Sequence, residues 1–190
     1  MRSSFKPRFA LRRLCLQGAV LALAASIAPS AIADVGSERS IKAAFVAKFI
    51  GYVEFPGRAA AATAPLAIGV VGADDVAGEL ARIVAGRGIN GRAISVRAMA
   101  AGDRLDTVDV LFIGVGESER AERLLRSAAA EGILTITEFD RALRQGSVIN
   151  FRIVDERVRF EVSLAAAEKA NLKLSSRLLS VAYYVDKGVR

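Results

Sequence analysis

Histidine is missing from all 190 residues, and cysteine occurs once, at Cys15. Each absence closes off chemistry. Without an imidazole there is no Ser-His-Asp or Cys-His nucleophilic system. The usual zinc sites, which draw on His and Cys, lack their donors. An active site would have to be assembled from Asp, Glu, Lys, Tyr and Arg, and no spacing of these residues builds one. The expectation is a protein that holds something rather than transforms it, without cofactor or metal.

Acidic residues are absent from the first 33 positions. Arg2, Lys6, Arg8, Arg12 and Arg13 form a basic opening. An apolar stretch from Leu14 to Ile27 follows, and Ala31-Ile32-Ala33 supplies a small-x-small cleavage site. This is the pattern of a secretory signal peptide. The stretch is broken by Gln17 and Gly18 and falls short of the roughly 20 apolar residues that span a bilayer. A polar segment beginning at Asp34 follows at once. Residues 1–33 are therefore expected to be a cleavable signal for export from a bacterial cytoplasm to the periplasm, and residues 34–190 one folded domain. Arg12-Arg13 ahead of Leu14 and Leu16 loosely fits a twin-arginine signal, so the export route stays open. Cys15 lacks the small neighbours of a lipoprotein box.

The full chain has 27 Lys+Arg against 20 Asp+Glu, a net +7, but five of those bases lie in the leader and leave +2 on residues 34–190. That balance gives no reason to expect nucleic acid as a partner. Without a thiol after processing, the exported domain must be held by its core alone.

The apolar spacing predicts a first helix over Ser37 to Phe55, with Ser37 as its cap and Pro56-Gly57 as its stop. Ile41, Ala44, Phe45, Phe49 and Tyr52 form one stripe, yet Val46, Ile50 and Val53 fall off it. A helix apolar nearly all round is buried on more than one side. Leu66 to Val71 reads as a strand buried on both faces. Asp74 or Asp75 is placed to cap a helix bearing Val76, Leu80, Ile83 and Val84. Ala93 to Met99 alternates and reads as a half-buried strand near an edge. Val108 to Val115 is another buried strand, followed by a helix capped by Ser118 and closed by Gly132. Ile133 to Thr137 is a strand, and Phe139 to Arg144 a short helix ending at Gly146.

The end breaks this rhythm. Ser147 to Val154 and Val158 to Leu164 read as a hairpin through Asp155-Glu156-Arg157, with Ile149, Phe151 and Ile153 pairing with Val158, Phe160 and Val162. A helix over Ala165 to Ala170 has Asn171 as its left-handed C′ residue, and Ser175 to Val185 is a last helix. The fold class expected is α/β: a three-layer sandwich with a mainly parallel sheet, flanking helices and a C-terminal antiparallel hairpin.

Gly86-Arg87-Gly88-Ile89-Asn90-Gly91 matches the letters of a dinucleotide fingerprint, but it follows a helix and precedes a strand, the reverse of what that motif requires. It reads as a flexible turn. Gly72, Gly114 and Gly116 are better placed, at strand ends ahead of helices, where an open sheet takes a ligand. Gly72, Asp74, Gly116 and Ser118 are the candidate ligand-binding residues. The carboxylates there read as caps. Asp109 reads as the exposed start of its strand, the alternative being a buried carboxylate with an Arg partner that the sequence does not name.

The segment Lys173-Leu174-Ser175-Ser176-Arg177-Leu178-Leu179-Ser180 contains more cation than capping and packing require. With Ile41-Lys42-Ala43-Ala44-Phe45, Lys48-Phe49 and Val53-Glu54-Phe55-Pro56 it resembles the YfiR-like periplasmic family. Ile68-Gly69-Val70-Val71-Gly72, Val110-Leu111-Phe112-Ile113, Leu134-Thr135 and Ile149-Asn150-Phe151 are similar to the family's other blocks, in order. The resemblance implies a periplasmic repressor that forms dimers. Such a protein binds the outward-facing sensor domain of an inner-membrane diguanylate cyclase, lowering cyclic di-GMP and affecting biofilm and motility. The chain departs in lacking the cysteines whose bonding matters in that family, so a thiol readout is closed to it.

Lys48, Phe49, Tyr52, Phe55, Lys173 and Arg177 are the expected partner-binding residues, with the three aromatics as anchors. The competing expectation is a small-ligand-binding protein that uses the crevice near Gly72 and Gly116, without a cyclase partner. Both can hold together if a ligand biases the partner equilibrium.

Overall fold

The computed structural model describes residues 30–57, 64–89 and 91–188. The basic opening and apolar stretch of the expected leader lie outside the described residues. Helix α1 (Ser30–Phe49) starts ahead of the expected cleavage point and runs through it. Ser37 is therefore an interior helix residue and not a cap; Ala31 and Ala33, strong helix formers, carry the helix upstream of it. At the other end α1 stops at Phe49, short of the expected Phe55. A 3₁₀ turn over Ile50–Tyr52 leads into an extended Val53, φ −123° and ψ 131°. Gly51 weakens the helix, and Pro56 disfavours helical geometry at Phe55. Val53–Glu54 becomes strand β1.

Next come β2 (Leu66–Val71), α2 (Asp74–Val84), β3 (Gly88–Ile89) and β4 (Arg92–Met99). The N-cap of α2 is Ala73, with Asp74 and Asp75 in the first turn rather than capping it. Their charges still suit the positive helix end. The glycine-rich stretch is no mere turn, since Gly88 pairs with Ala93 and Ile89 with Arg92 in a small antiparallel ladder. β5 (Val110–Ile113) is followed by a 3₁₀ turn, Val115–Glu117, and then α3 (Ala121–Ala130). That intervening turn moves the N-cap of α3 to Arg120, so Ser118 does not cap it. β6 (Leu134–Thr137), α4 (Ala142–Gln145), β7 (Ile149–Val154), β8 (Arg157–Ser163) and α5 (Leu164–Lys169) complete the expected pattern. β9 (Lys173–Leu174), α6 (Ser176–Val181) and β10 (Tyr184–Asp186) close the chain. The last helix is thus shorter than expected, and the residues after it form a strand.

Eight strands make one sheet in the order β10-β8-β7-β6-β5-β2-β4-β3. β4, β2, β5, β6 and β7 run parallel; β7–β8 is the antiparallel hairpin. Ile149 opposes Val162, Phe151 opposes Phe160 and Ile153 opposes Val158, so the two expected sets do meet; Arg157, expected in the turn, instead opposes Val154 as the first residue of β8. Asp155 and Glu156 make the two-residue turn at φ 50° and 58°, the positive values that suit a hairpin's twist. Asn171 at φ 52° is the left-handed residue after α5.

The sheet separates two cores. Ile68, Val70, Val110 and Phe112 face α1, α2, α5 and α6. Val71, Leu111 and Ile113 face α3 and α4. Strict alternation along β5 sends its four buried side chains to both layers. α1 wedges Ala43, Val46, Phe49 and Ile50 into the first core, which accounts for its lack of a single apolar stripe. There Phe49 meets Phe160 edge-on at 4.7 Å between ring centres and stacks on Phe151 at 5.8 Å.

The buried polar side chains of the central strands are paired, whereas Gln145 Oε1 and Glu117 Oε2 are buried without a hydrogen bond. Asn150 accepts from the Thr137 hydroxyl at 2.8 Å and donates to Glu161 at 2.9 Å, tying β6, β7 and β8 in one register. Asp109, 5 % exposed, is buried instead of starting its strand in solvent. It accepts from the Ala67 backbone at 2.9 Å, and the Arg92 guanidinium lies 3.4 Å away. A buried carboxylate persists only with such partners.

Candidate partner-binding surface

The two segments that stand out near either end of the sequence meet in space. β1 and β9 form a separate two-stranded antiparallel sheet in which Val53 opposes Leu174 and Glu54 opposes Lys173. One step further, the Ser175 amide donates to the Tyr52 carbonyl at 2.9 Å. Val53 is buried and Leu174 packs against the same core, so the ladder is anchored from below. Ser175 then caps α6, its hydroxyl accepting from the Leu178 amide at 3.3 Å, as Ser commonly does at this position. Leu178 is buried. These contacts fix the direction in which Arg177 leaves the surface.

Four of the six expected partner-binding residues are exposed at this corner or beside it. Lys48, Lys173 and Arg177 are exposed and Tyr52 is 39 % exposed. Phe55 is half-buried against the core. Phe49 is the exception. At 2 % exposure it belongs to the aromatic cluster and offers nothing to a partner, because the helix turns it toward Phe151 and Phe160. Periodicity placed Phe49 and Tyr52 on one stripe, but the 3₁₀ turn rotates Tyr52 outward. Beside Lys173 an open cavity of about 370 Å³ is lined by Leu164, Glu168, Asn171, Leu172 and Leu174.

Three exposed residues escaped the sequence reading: Val181 at 67 %, Tyr183 at 60 % and Tyr184 at 54 %. The expected long helix absorbed them into its pattern. Two adjacent tyrosines after a short helix were the available signal.

The crevice at the strand ends has a different character. β2 and β5 are neighbours whose following helices pack on opposite faces, the switch point where open sheets bind ligands. Gly72 and Gly116 do meet there. The backbones are so close that a Cβ on Gly114 would fall 2.3 Å from the Gly72 carbonyl oxygen, and one on Gly72 2.8 Å from Glu117 Cγ. Gly72 also has φ +70°, which suits glycine. Asp74 and Ser118 flank this contact. The chain supplies its own anion: Glu138, just after β6, accepts from the Val115 amide at 3.3 Å. Lys42 of α1 reaches that carboxylate at 2.7 Å and Glu38 at 2.5 Å. Burial pulls the Lys42 pKa down, but the hydrogen bonds to Glu138 and Glu38 outweigh it and raise the pKa above the ordinary lysine value. An anionic ligand here would have to displace Glu138. No group of three or more His, Cys, Asp or Glu suited to a metal occurs among the described residues.

A family model described as YfiR/HmsC-like (DUF4154) matches residues 39–183, which includes both halves of the β1–β9 ladder. The chain belongs to the YfiR/HmsC-like family. Members of this family are periplasmic regulators rather than enzymes, and the family points to regulation of diguanylate cyclase. No curated protein sequence matches the chain. Among solved structures it is similar to a conserved domain protein from Vibrio cholerae O1 biovar El Tor str. N16961, with a TM-score of 0.57 at 11% identity. The match covers 78% of this chain and 60% of that one, so the chain spans less than two thirds of its length. At this identity the likeness concerns the fold alone. No helix among the described residues is long and apolar enough to cross a membrane.

Proposed function

We propose that this YfiR/HmsC-like chain is a periplasmic repressor that binds the outward-facing sensor region of an inner-membrane diguanylate cyclase and lowers cyclic di-GMP signalling. One observation carries the reading beyond the family: the β1–β9 ladder gathers Tyr52, Glu54, Lys173 and Arg177 into one exposed corner. An exposed aromatic beside fixed charges of both signs is the composition of a recognition patch. A rigid strand pair beneath it means that little ordering cost remains on binding. Lys48, one turn before Tyr52, extends the cationic side.

The test is direct binding between the purified protein and the periplasmic portion of a membrane diguanylate cyclase from the same genome. Saturable binding is expected, weakened at least tenfold by the double reversal Lys173→Glu with Arg177→Glu. Deleting the gene should raise cellular cyclic di-GMP. Absence of binding to every such cyclase would overturn the proposal.

A further inference from the structure

We infer that the outer face of the β7–β8 hairpin is a binding site for a phosphate monoester, held between the guanidinium groups of Arg152 and Arg159. The inference does not depend on the cyclase reading. The β1–β9 ladder is anchored on the first core through Val53 and Leu174, and this site looks out from the other face of the sheet.

In the hairpin register Arg152 stands directly opposite Arg159. Arg157 lies one row nearer the turn, opposite Val154. Side chains alternate along a strand, and Phe151 and Phe160 point into the first core. The three arginines therefore share the face turned away from that core, and all three are exposed. Residues directly opposite have β-carbons about 4.5–5.5 Å apart, and like charges so placed repel each other. Little in the chain relieves this repulsion. Asp140, itself 88 % exposed, lies 3.4 Å from Arg152. Glu161, one row further along β8, is engaged by the Asn150 amide at 2.9 Å. Asp155 and Glu156 occupy the turn beyond these rows. Among the described residues, neither Arg157 nor Arg159 has an ion pair or a side-chain hydrogen bond.

Over these two rows three guanidiniums meet one carboxylate. A phosphate monoester near pH 7 has a charge of about −1.5 to −2 and three strong acceptor oxygens. An arginine fork meets a phosphate with two parallel N–H···O bonds. One phosphoryl group between Arg152 and Arg159 accepts from both forks and turns their repulsion into shared attraction. Arg157 adds a third cation from the next row. A carboxylate has two oxygens and one charge, enough for a single fork. A phosphodiester also has one charge. These differences select the monoester. The arginines are screened by water, so half-saturation is expected at about a millimolar. A soluble phosphate ester and the headgroup of phosphatidic acid present the same chemistry.

Thermal melts of the full chain test the site. Glycerol 3-phosphate at ten times half-saturation should raise the melting temperature by about 3–5 °C through mass action. Dimethyl phosphate and acetate at equal ionic strength should not. Arg159→Gln should weaken the response at least tenfold and leave the ligand-free protein no less stable, since it removes a repulsion. Arg126→Gln, on α3, should respond as the wild type does. Flotation with phosphatidylcholine vesicles containing phosphatidic acid separates the two sources. Co-flotation that Arg159→Gln abolishes assigns the headgroup, and a melting response without co-flotation assigns the soluble ester. No response to either source, an equal response to dimethyl phosphate, or an undiminished response in Arg159→Gln overturns the inference.

Discussion

Lys42 and Glu138 are 96 positions apart in sequence and 2.7 Å apart in the structure, so the first helix is latched to the turn after a central strand. Each side chain is 11 % exposed, and removing the cation leaves the buried Glu138 carboxylate without its partner and near that of Glu38. Lys42→Met should lower stability by about 2 kcal/mol, read as a lower urea midpoint at unchanged slope. The pKa of Lys42 is raised, so its contribution is complete below the unfolded value of 10.5 and disappears as pH rises through the higher folded value. The difference between the wild type and Lys42→Met should therefore be constant through neutral pH and shrink only in strong alkali.

Glu79 links α1 to α2 from the other side. The Arg82 guanidinium and the Ser40 hydroxyl, the latter at 2.8 Å, hold its pKa at about 2, against an ordinary 4.5. A depressed carboxylate pKa stabilises the fold above the unfolded value, and that stability is lost as pH falls toward the folded one. The melting temperature should fall between pH 4.5 and pH 2, and Glu79→Gln should flatten that part of the profile. An unchanged acid limb in Glu79→Gln would show that the latch contributes nothing.

Phe49 and Tyr52 lie three residues apart and should separate folding from binding. Phe49→Ala empties the centre of the aromatic cluster and should cost about 3–5 kcal/mol. Tyr52→Ala, at an exposed position, should change stability by less than about 0.5 kcal/mol. It should nonetheless weaken partner binding by about 2 kcal/mol, as hot-spot aromatics do. Calorimetric titration alongside thermal melts checks both halves.

Two glycines should respond oppositely to alanine. At Gly114 the added methyl meets the Gly72 carbonyl at 2.3 Å, whereas at Gly78, inside α2, nothing lies within 4 Å. Gly114→Ala should destabilise by about 1–3 kcal/mol through overpacking. Gly78→Ala should stabilise by about 0.5–1 kcal/mol through helix propensity. Chemical denaturation of the two variants decides.

The hairpin turn offers a gain as well. Glu156 adopts φ 58°, which costs a residue with a side chain roughly 1 kcal/mol. Glu156→Gly should recover about that amount and raise the melting temperature.

Much of this fold could be read from local pattern. The unbroken apolar run Leu66 to Val71 announced a strand buried on both faces, and the alternation on either side of Asp155 gave the two sets of residues that face each other, though not that Arg157 belongs to the strand. Asn171 was identifiable because few other residues tolerate its backbone geometry. What stayed hidden was non-local or too short for a period. β1 and β9 have two residues each, and neither is a strand without the other. Ser37 resembled a cap because its residue type is the same inside a helix as at its start. Ser118 was displaced by a 3₁₀ turn that has no periodic signal. The exposed corner was suggested by an excess of cations and by family resemblance. Its assembly depends on Glu54 meeting Lys173, and no window of neighbouring residues contains both.

That pairing also sets a timetable. Glu54 and Lys173 lie 119 positions apart, so Tyr52 and Arg177 come together only once the sheet between them has formed. The corner is thus a late event in folding, and a partner that reads it would engage only the folded chain.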